Sequence, residues 1–203
     1  MNYLKKLLQI LLVVIAATQL AACSKTVQWE EEVPLNTGET IWVKRSVVYK
    51  LKGAGGNPFD IGYGQDKTET LSFNWGGKKY VYEGEAALML LAISPQKQPV
   101  LVAPAANKGW DWNHNYYCAT PHYVQFVPDP SGSEWSWPPE IESWLYDMPS
   151  NLMRQRRKPA DMQKRYTAKQ RAEEDAVSSM QSPTTAKIDP KFIMNPRECK
   201  RRN

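Results

Sequence analysis

The chain has 203 residues and a formal net charge of +5, with 42% apolar and 23% charged residues. This composition excludes a wholly disordered chain because it leaves enough apolar side chains for a packed core, and the length suits one domain with appendages. The eight tryptophans and ten tyrosines favour a β-rich core, since aromatic residues are common on pleated, half-buried surfaces.

Residues 1–22 have the layout of a secretory signal peptide. Lys5 and Lys6 precede the apolar run LLQILLVVIAA at 7–17, and small residues follow it. The run is too short and too interrupted to span a membrane, because a spanning helix takes about 20 apolar residues. The sequence therefore predicts export and cleavage.

The motif LAAC at Leu20–Cys23 resembles the lipobox of bacterial lipoproteins, in which a hydrophobic residue and two small residues precede a cysteine. The resemblance covers only the leader and indicates no family for the mature domain. It implies that the Cys23 sulfur carries a diacylglyceryl group and that signal peptidase II cuts just before this residue. Two or three acyl chains then hold a protein on a bilayer without a transmembrane helix. The alternative is an ordinary signal peptide with a chance cysteine.

The residue after the cysteine bears on localisation. Aspartate at this position tends to retain Gram-negative lipoproteins at the inner membrane, whereas Ser24 resembles the residues of proteins sorted to the outer membrane. The resemblance implies anchorage at the outer membrane, facing the periplasm.

A β-rich domain is predicted over 40–148, after a tether over 23–39. In TIWVKRSVVYKL the apolar residues alternate with polar ones, as in a half-buried strand, and Arg45 is the exception on the apolar face. In TLSFNWGGKKYVYE the pair Gly76–Gly77 predicts a two-residue type I′ hairpin. That turn pairs Trp75 with Lys78, Phe73 with Tyr80 and Leu71 with Tyr82.

Further strands are predicted at 86–93, 99–102 and 123–127. The run AALMLLAI is typical of a strand buried on both faces, although a short helix also fits it. Strands spaced by turn signals indicate a β-sandwich or open barrel. Ile141, Trp144, Leu145 and Met148 lie at helical spacing before Pro149, which predicts a short helix capping the core.

Residues 149–203 are predicted to form a basic, partly helical C-terminal extension, with a helix over about 161–180. The cluster RQRRK at 154–158 suits anionic lipid headgroups or envelope polyanions, and the alternative is a solvated linker.

One aromatic segment, GWDWNHNYYCATPH at 109–122, carries the candidate chemistry. His114, Cys118 and His122 recur every four residues, a set that can bind zinc or copper, but Pro121 argues against one helix presenting all three, and we expect no metal site. The aromatic side chains offer a stacking platform for sugar rings, with core or rim positions as the alternative; they are Trp110, Trp112, Tyr116 and Tyr117.

The remaining thiols favour a disulfide. If lipid occupies Cys23, only Cys118 and Cys199 are left, and an oxidising periplasm favours joining them. Closing so long a loop contributes about 4–5 kcal/mol in the chain-entropy model. The alternatives are two separate thiols, or Cys199 bonded to a partner chain.

These patterns predict a lipid-anchored binding or assembly module of the cell envelope and not an enzyme. The Gly-rich stretch GAGGNPFDIGYG lacks the phosphate-loop pattern, and no hydrolase motif is present. We expect no cofactor beyond the covalent lipid, no nucleic-acid partner, and an envelope protein, peptidoglycan or another glycan as partner. The alternatives are a glycan-binding lipoprotein that uses the aromatic segment, and an envelope hydrolase without a recognisable motif.

Overall fold

Two antiparallel-rich β-sheets pack face to face. The structure, a computed structural model, describes residues 24–53, 61–105, 121–153, 164–177 and 186–192. The long sheet has five strands in the order β4-β3-β2-β1-β9, and the short sheet has four in the order β5-β6-β7-β8. The predicted β-sandwich is thus confirmed as the fold class.

The strand bounds are as follows: β1 Ser24–Pro34, β2 Thr40–Gly53, β3 Ile61–Trp75, β4 Lys78–Gly84, β5 Leu90–Ile93, β6 Pro99–Pro104, β7 Tyr123–Pro128, β8 Trp135–Ser136 and β9 Arg165–Tyr166. Helix α1 spans Ala168–Val177, within the region for which the sequence predicts a longer helix.

The β3–β4 hairpin forms in the predicted register. Trp75 pairs with Lys78 and Phe73 with Tyr80, and the turn glycines have φ values of +56° and +76°. Left-handed backbone at both central positions is what a type I′ turn requires. The Phe73 and Tyr80 rings stack with centroids 5.4 Å apart, so the hairpin packs a pair of stacked aromatic rings into the core.

The prediction of a tether over 23–39 is wrong for most of its length, because Ser24–Pro34 form strand β1. This strand pairs along its whole length with β2, from Ser24 opposite Lys50 to Pro34 opposite Thr40. Its apolar side chains fall at alternate positions, Val27, Trp29 and Val33, and are buried. The run of glutamates between them hides this alternation from a composition-based assignment.

The short sheet is buried on both faces, as the apolar run at its first strand predicts. One face contacts the long sheet through alternate residues such as Leu91, Leu101 and Phe126. The opposite face includes Leu90, Val102 and Tyr123. It is covered by residues that lie outside the two sheets. A third layer therefore lies over the short sheet.

That third layer replaces the predicted capping helix. Ser143–Leu145 form a single 3-10 turn, with Ile141 and Leu145 buried against the sheet. Residues 186–192 of the C-terminal extension run beside it, joined by the bridge Pro149–Lys187, and Ile188 is fully buried. The region predicted to be a capping helix is thus a 3-10 turn followed by chain whose main chain is hydrogen-bonded to residues 186–192.

Two asparagine side chains cap the free edge of β5. The Asn151 amide accepts from Leu91 N at 2.8 Å and donates to Leu91 O at 2.7 Å. Asn36 makes the same pair of bonds with Ile93, at 2.7 and 2.8 Å. Each amide stands in for a peptide group of a neighbouring strand, which blocks pairing with another chain at this edge.

The loop between β7 and β8 covers one edge of the long sheet, that of β4. Val81 N donates to Gly132 O at 2.9 Å, and the indole of Trp135 donates to Val81 O at 2.7 Å. Gly132 has φ +81°, and a Cβ there would lie 3.0 Å from Lys79 O. Glycine thus allows the loop to approach the strand closely.

Candidate functional site

Most residues predicted to carry chemistry lie outside the described ranges. These residues are Cys23, Cys118, Cys199, His114, Trp110, Trp112, Tyr116 and Tyr117, together with the basic cluster at 154–158. His122 is described; it is fully buried, and its ring packs edge-on against Phe192 with centroids 5.7 Å apart. Within the described ranges, no group of three His, Cys, Asp or Glu residues could hold a metal ion.

Two described residues that are near Cys118 and Cys199 in sequence lie side by side. His122 N donates to Phe192 O at 2.7 Å, four residues after Cys118 and seven before Cys199. Since a fully extended residue spans about 3.3–3.6 Å, four and seven residues of chain are long enough to bring the two cysteines together. The predicted disulfide is compatible with this junction and stays a prediction.

β1 defines the two ends of the sandwich. Its first residue, Ser24, follows Cys23 directly and pairs with Lys50, so cleavage before Cys23 would retain every described residue. The turns at 35–39, 76–77 and 94–98 gather at the other end of β1. With a rise of about 3.3 Å per residue, the two ends are separated by about 33 Å. We call these the Cys23 end and the turn end.

A charged cluster is buried under the long sheet. Arg45 donates to Glu31 Oε1 at 3.0 Å and to Glu69 Oε2 at 2.8 Å, and the side chains are 0–5% exposed. The guanidinium also lies 5.1 Å from the ring centroid of Trp29, within cation–π range. Arg45, the exception in the alternating pattern of β2, therefore faces the core together with two carboxylates.

Main-chain groups complete this buried charged cluster. Arg45 donates to Met153 O at 2.7 Å, and Met153 N donates to Glu31 Oε2 at 2.8 Å. Leu88 N donates to Glu69 Oε1 at 3.3 Å. The cluster thereby links the long sheet to the segments at Leu88 and Met153, which lie before and after the short sheet in the chain.

The neighbouring carboxylates keep the Arg45 guanidinium charged. Burial by itself lowers the pKa of Arg45, but the charges and hydrogen bonds of Glu69 and Glu31 outweigh it and raise this pKa above its ordinary value. Burial and, next, the Glu69 carboxylate raise the pKa of Tyr82. The side chains of Arg45, Glu31 and Glu69 are at most 5% exposed, so the arrangement is suited to holding the fold.

An open groove of about 520 Å³ lies at the turn end. It is lined by three turns that are far apart in sequence, and its walls combine an aromatic ring and aliphatic side chains with polar groups. The residues that line it include Thr37, Glu39, Ile41, Asn74, Trp75, Ile93, Ser94 and Lys97. We call this cavity the turn-end groove.

Hydrogen bonds hold the three turns of the groove in place. Leu35 N donates to Glu39 O at 2.8 Å in the first turn, and Ser94 N donates to Gln98 O at 2.8 Å in the last. Asn36 joins these two turns through Ile93, and the Trp75 indole donates to Lys97 O at 3.4 Å. The groove walls are therefore coupled to one another and to the core beneath.

The groove was missed by sequence reasoning because no contiguous motif encodes it. Trp75 is predicted correctly as a hairpin residue, but Glu39 falls in the predicted tether and Lys97 in an ordinary turn. Lys97 has φ +62°, a left-handed conformation that costs a non-glycine residue about 1–2 kcal/mol. The tight β5–β6 hairpin turn, closed by Lys97 N donating to Ser94 O at 2.9 Å, accounts for this conformation.

No helix among the described residues is long and apolar enough to cross a membrane. A scan against protein-family models finds no match to the chain, and comparisons with curated proteins and with solved structures find none either.

Proposed function

We propose that the protein is a lipid-anchored binding or assembly module of the cell envelope, held at the outer membrane through Cys23 and facing the periplasm. The observation that carries this proposal is the motif LAAC at Leu20–Cys23, which resembles a lipobox and comes immediately before the first strand of the sandwich. A diacylglyceryl group on Cys23 would be attached at the Cys23 end of the fold, without a flexible tether.

A binding role is favoured over catalysis by the arrangement of charged groups. The carboxylates of Glu31 and Glu69 converge, as general acid and base groups do, but they contact Arg45 and main-chain amides and are shielded from solvent. The turn-end groove, by contrast, presents single polar groups around an aromatic ring. Such a surface is suited to the recognition of a ligand or partner.

Metabolic labelling with a radioactive fatty acid tests the anchor. The wild-type protein should take up the label and fractionate with the outer membrane. The Cys23→Ser variant should take up none and accumulate as an uncleaved or mis-cleaved precursor.

Cys118→Ser and Cys199→Ser serve as matched controls, since each removes a thiol outside the lipobox, and both should label as the wild type does. Labelling of Cys23→Ser at the wild-type level would overturn the proposal.

A further inference from the structure

We propose that the turn-end groove binds a pyranose ring of an envelope glycan. This inference rests on the proposed function, because an anchor at Cys23 would direct the turn end away from the membrane toward the polymers of the periplasm. It places glycan recognition on Trp75, Asn74 and Glu39, outside the aromatic segment to which the sequence assigns that role.

The volume and lining of the groove suit such a ligand. A volume of about 520 Å³ falls within the range of about 300–1,000 Å³ that is typical of small-molecule sites. Trp75 contributes a half-buried aromatic surface, and Ile41 a half-buried aliphatic one. Aromatic faces pack on the apolar faces of sugar rings, and a few polar groups around them fix the orientation.

The polar groups match hydroxyl and amide substituents. Asn74 is exposed at the end of β3, and its amide can donate and accept at once. Glu39 accepts from Thr37 Oγ1 at 3.1 Å, and a carboxylate has further acceptor sites for sugar hydroxyls. Lys97 adds an exposed cation opposite in sign to Glu39.

Other ligand classes fit less well. A phosphate group would meet the Glu39 carboxylate as well as Lys97, and a lipid chain would meet an exposed rim of Thr37, Glu39 and Asn74. An extended peptide would need a free strand edge, but the neighbouring edge of β5 is occupied by Asn36 and Asn151. A sugar ring, which carries polar groups and has one apolar face, matches the residues that line the groove best.

The walls are also held in place before a ligand arrives. Asn36 and Trp75 link the turns to one another, so little conformational entropy remains to be lost on binding. The left-handed Lys97 lies in the turn whose carbonyl accepts from the Trp75 indole. The Trp75 ring is therefore attached to this turn by a hydrogen bond.

NMR titration of a soluble form that begins at Ser24, and so lacks the leader and Cys23 but retains every described residue, tests the inference. Two probes are used: the N-acetylglucosaminyl–N-acetylmuramic acid disaccharide of peptidoglycan, and a lipid-free core oligosaccharide of lipopolysaccharide. Titration to about 10 mM detects binding with a Kd of about 1 mM. At least one probe should cause saturable shifts at the Trp75 indole and at the amides of Gly76, Gly77 and Lys97.

Exposed polar positions supply the variants, because their substitution leaves the core intact. Asn74→Ala and Glu39→Gln should each lower the affinity roughly fivefold or more, as expected for loss of a ligand hydrogen bond. Glu83→Gln and Trp137→Ala, exposed positions outside the groove, should stay within about twofold of the parent protein.

Absence of shifts with both sugars, or shifts confined to other surfaces, would overturn the glycan site while leaving the lipid anchor standing. Conversely, failure of fatty-acid labelling would overturn the anchor. The titration uses protein without lipid, so its result is independent of the labelling result.

Discussion

Substitution of Arg45 by methionine tests whether the buried charged cluster holds the sandwich together. The guanidinium makes hydrogen bonds of 3.0 Å to Glu31, 2.8 Å to Glu69 and 2.7 Å to Met153 O. Methionine fills much of the same space but leaves two buried carboxylates without their cation. Breaking a buried ion pair in this way costs about 3–5 kcal/mol, a large part of the ~5–15 kcal/mol by which domains are stable.

Urea unfolding of the soluble form that begins at Ser24, followed by tryptophan fluorescence, measures this loss as a change in the midpoint at constant slope. Trp29 lies beside the cluster and reports on it directly. Lys44→Met is the matched control, because Lys44 precedes Arg45 on the same strand and is exposed. Its free energy of unfolding should change by no more than about 0.5 kcal/mol.

Glu31→Gln separates charge from hydrogen bonding at the same cluster. Glu31 accepts through both oxygens, from Arg45 and from Met153 N, whereas glutamine keeps only one acceptor oxygen. This variant leaves one buried donor without a partner but keeps the guanidinium, so it should lose about 1–3 kcal/mol, less than Arg45→Met. If Arg45→Met were as stable as Lys44→Met, the charged cluster would have no structural role and the reasoning would be refuted.

Three further predictions concern the edges and the tail. Asn151→Ala removes the amide that caps Leu91 and should destabilise the protein by about 3 kcal/mol, whereas exposed Asn74→Ala should be nearly neutral in urea unfolding. Gly132→Ala should cost about 1–2 kcal/mol more than Gly38→Ala, because both glycines have positive φ but only Gly132 would place a Cβ against its neighbours; equal midpoints would contradict the proposed contact. Non-reducing peptide mapping should recover Cys118 linked to Cys199, and labelling of both as free thiols would refute the pairing.

The local periodicity of the sequence predicts the elements that depend on neighbouring residues. The β3–β4 hairpin is correct to the residue because Gly76–Gly77 set both the turn and its register. The doubly buried short sheet follows from the continuous apolar run at β5. In each case the signal lies within about fifteen residues of chain.

Features that depend on residues far apart in the sequence cannot be predicted from local periodicity. The glutamates of β1 look like a solvated tether until Arg45 supplies a buried partner for Glu31. Asn151 has no strand neighbour in sequence, yet it completes the hydrogen bonding of β5 from 60 residues away. The turn-end groove likewise forms only when three separate turns meet, so its residues carry no common motif.

Mass spectrometry of the N-terminal peptide of the mature protein, isolated from membranes, tests the central claim most directly. The account predicts that this peptide begins at Cys23, with a diacylglyceryl thioether on its sulfur. A mature chain that begins at another residue, or a Cys23 thiol without lipid, would contradict it.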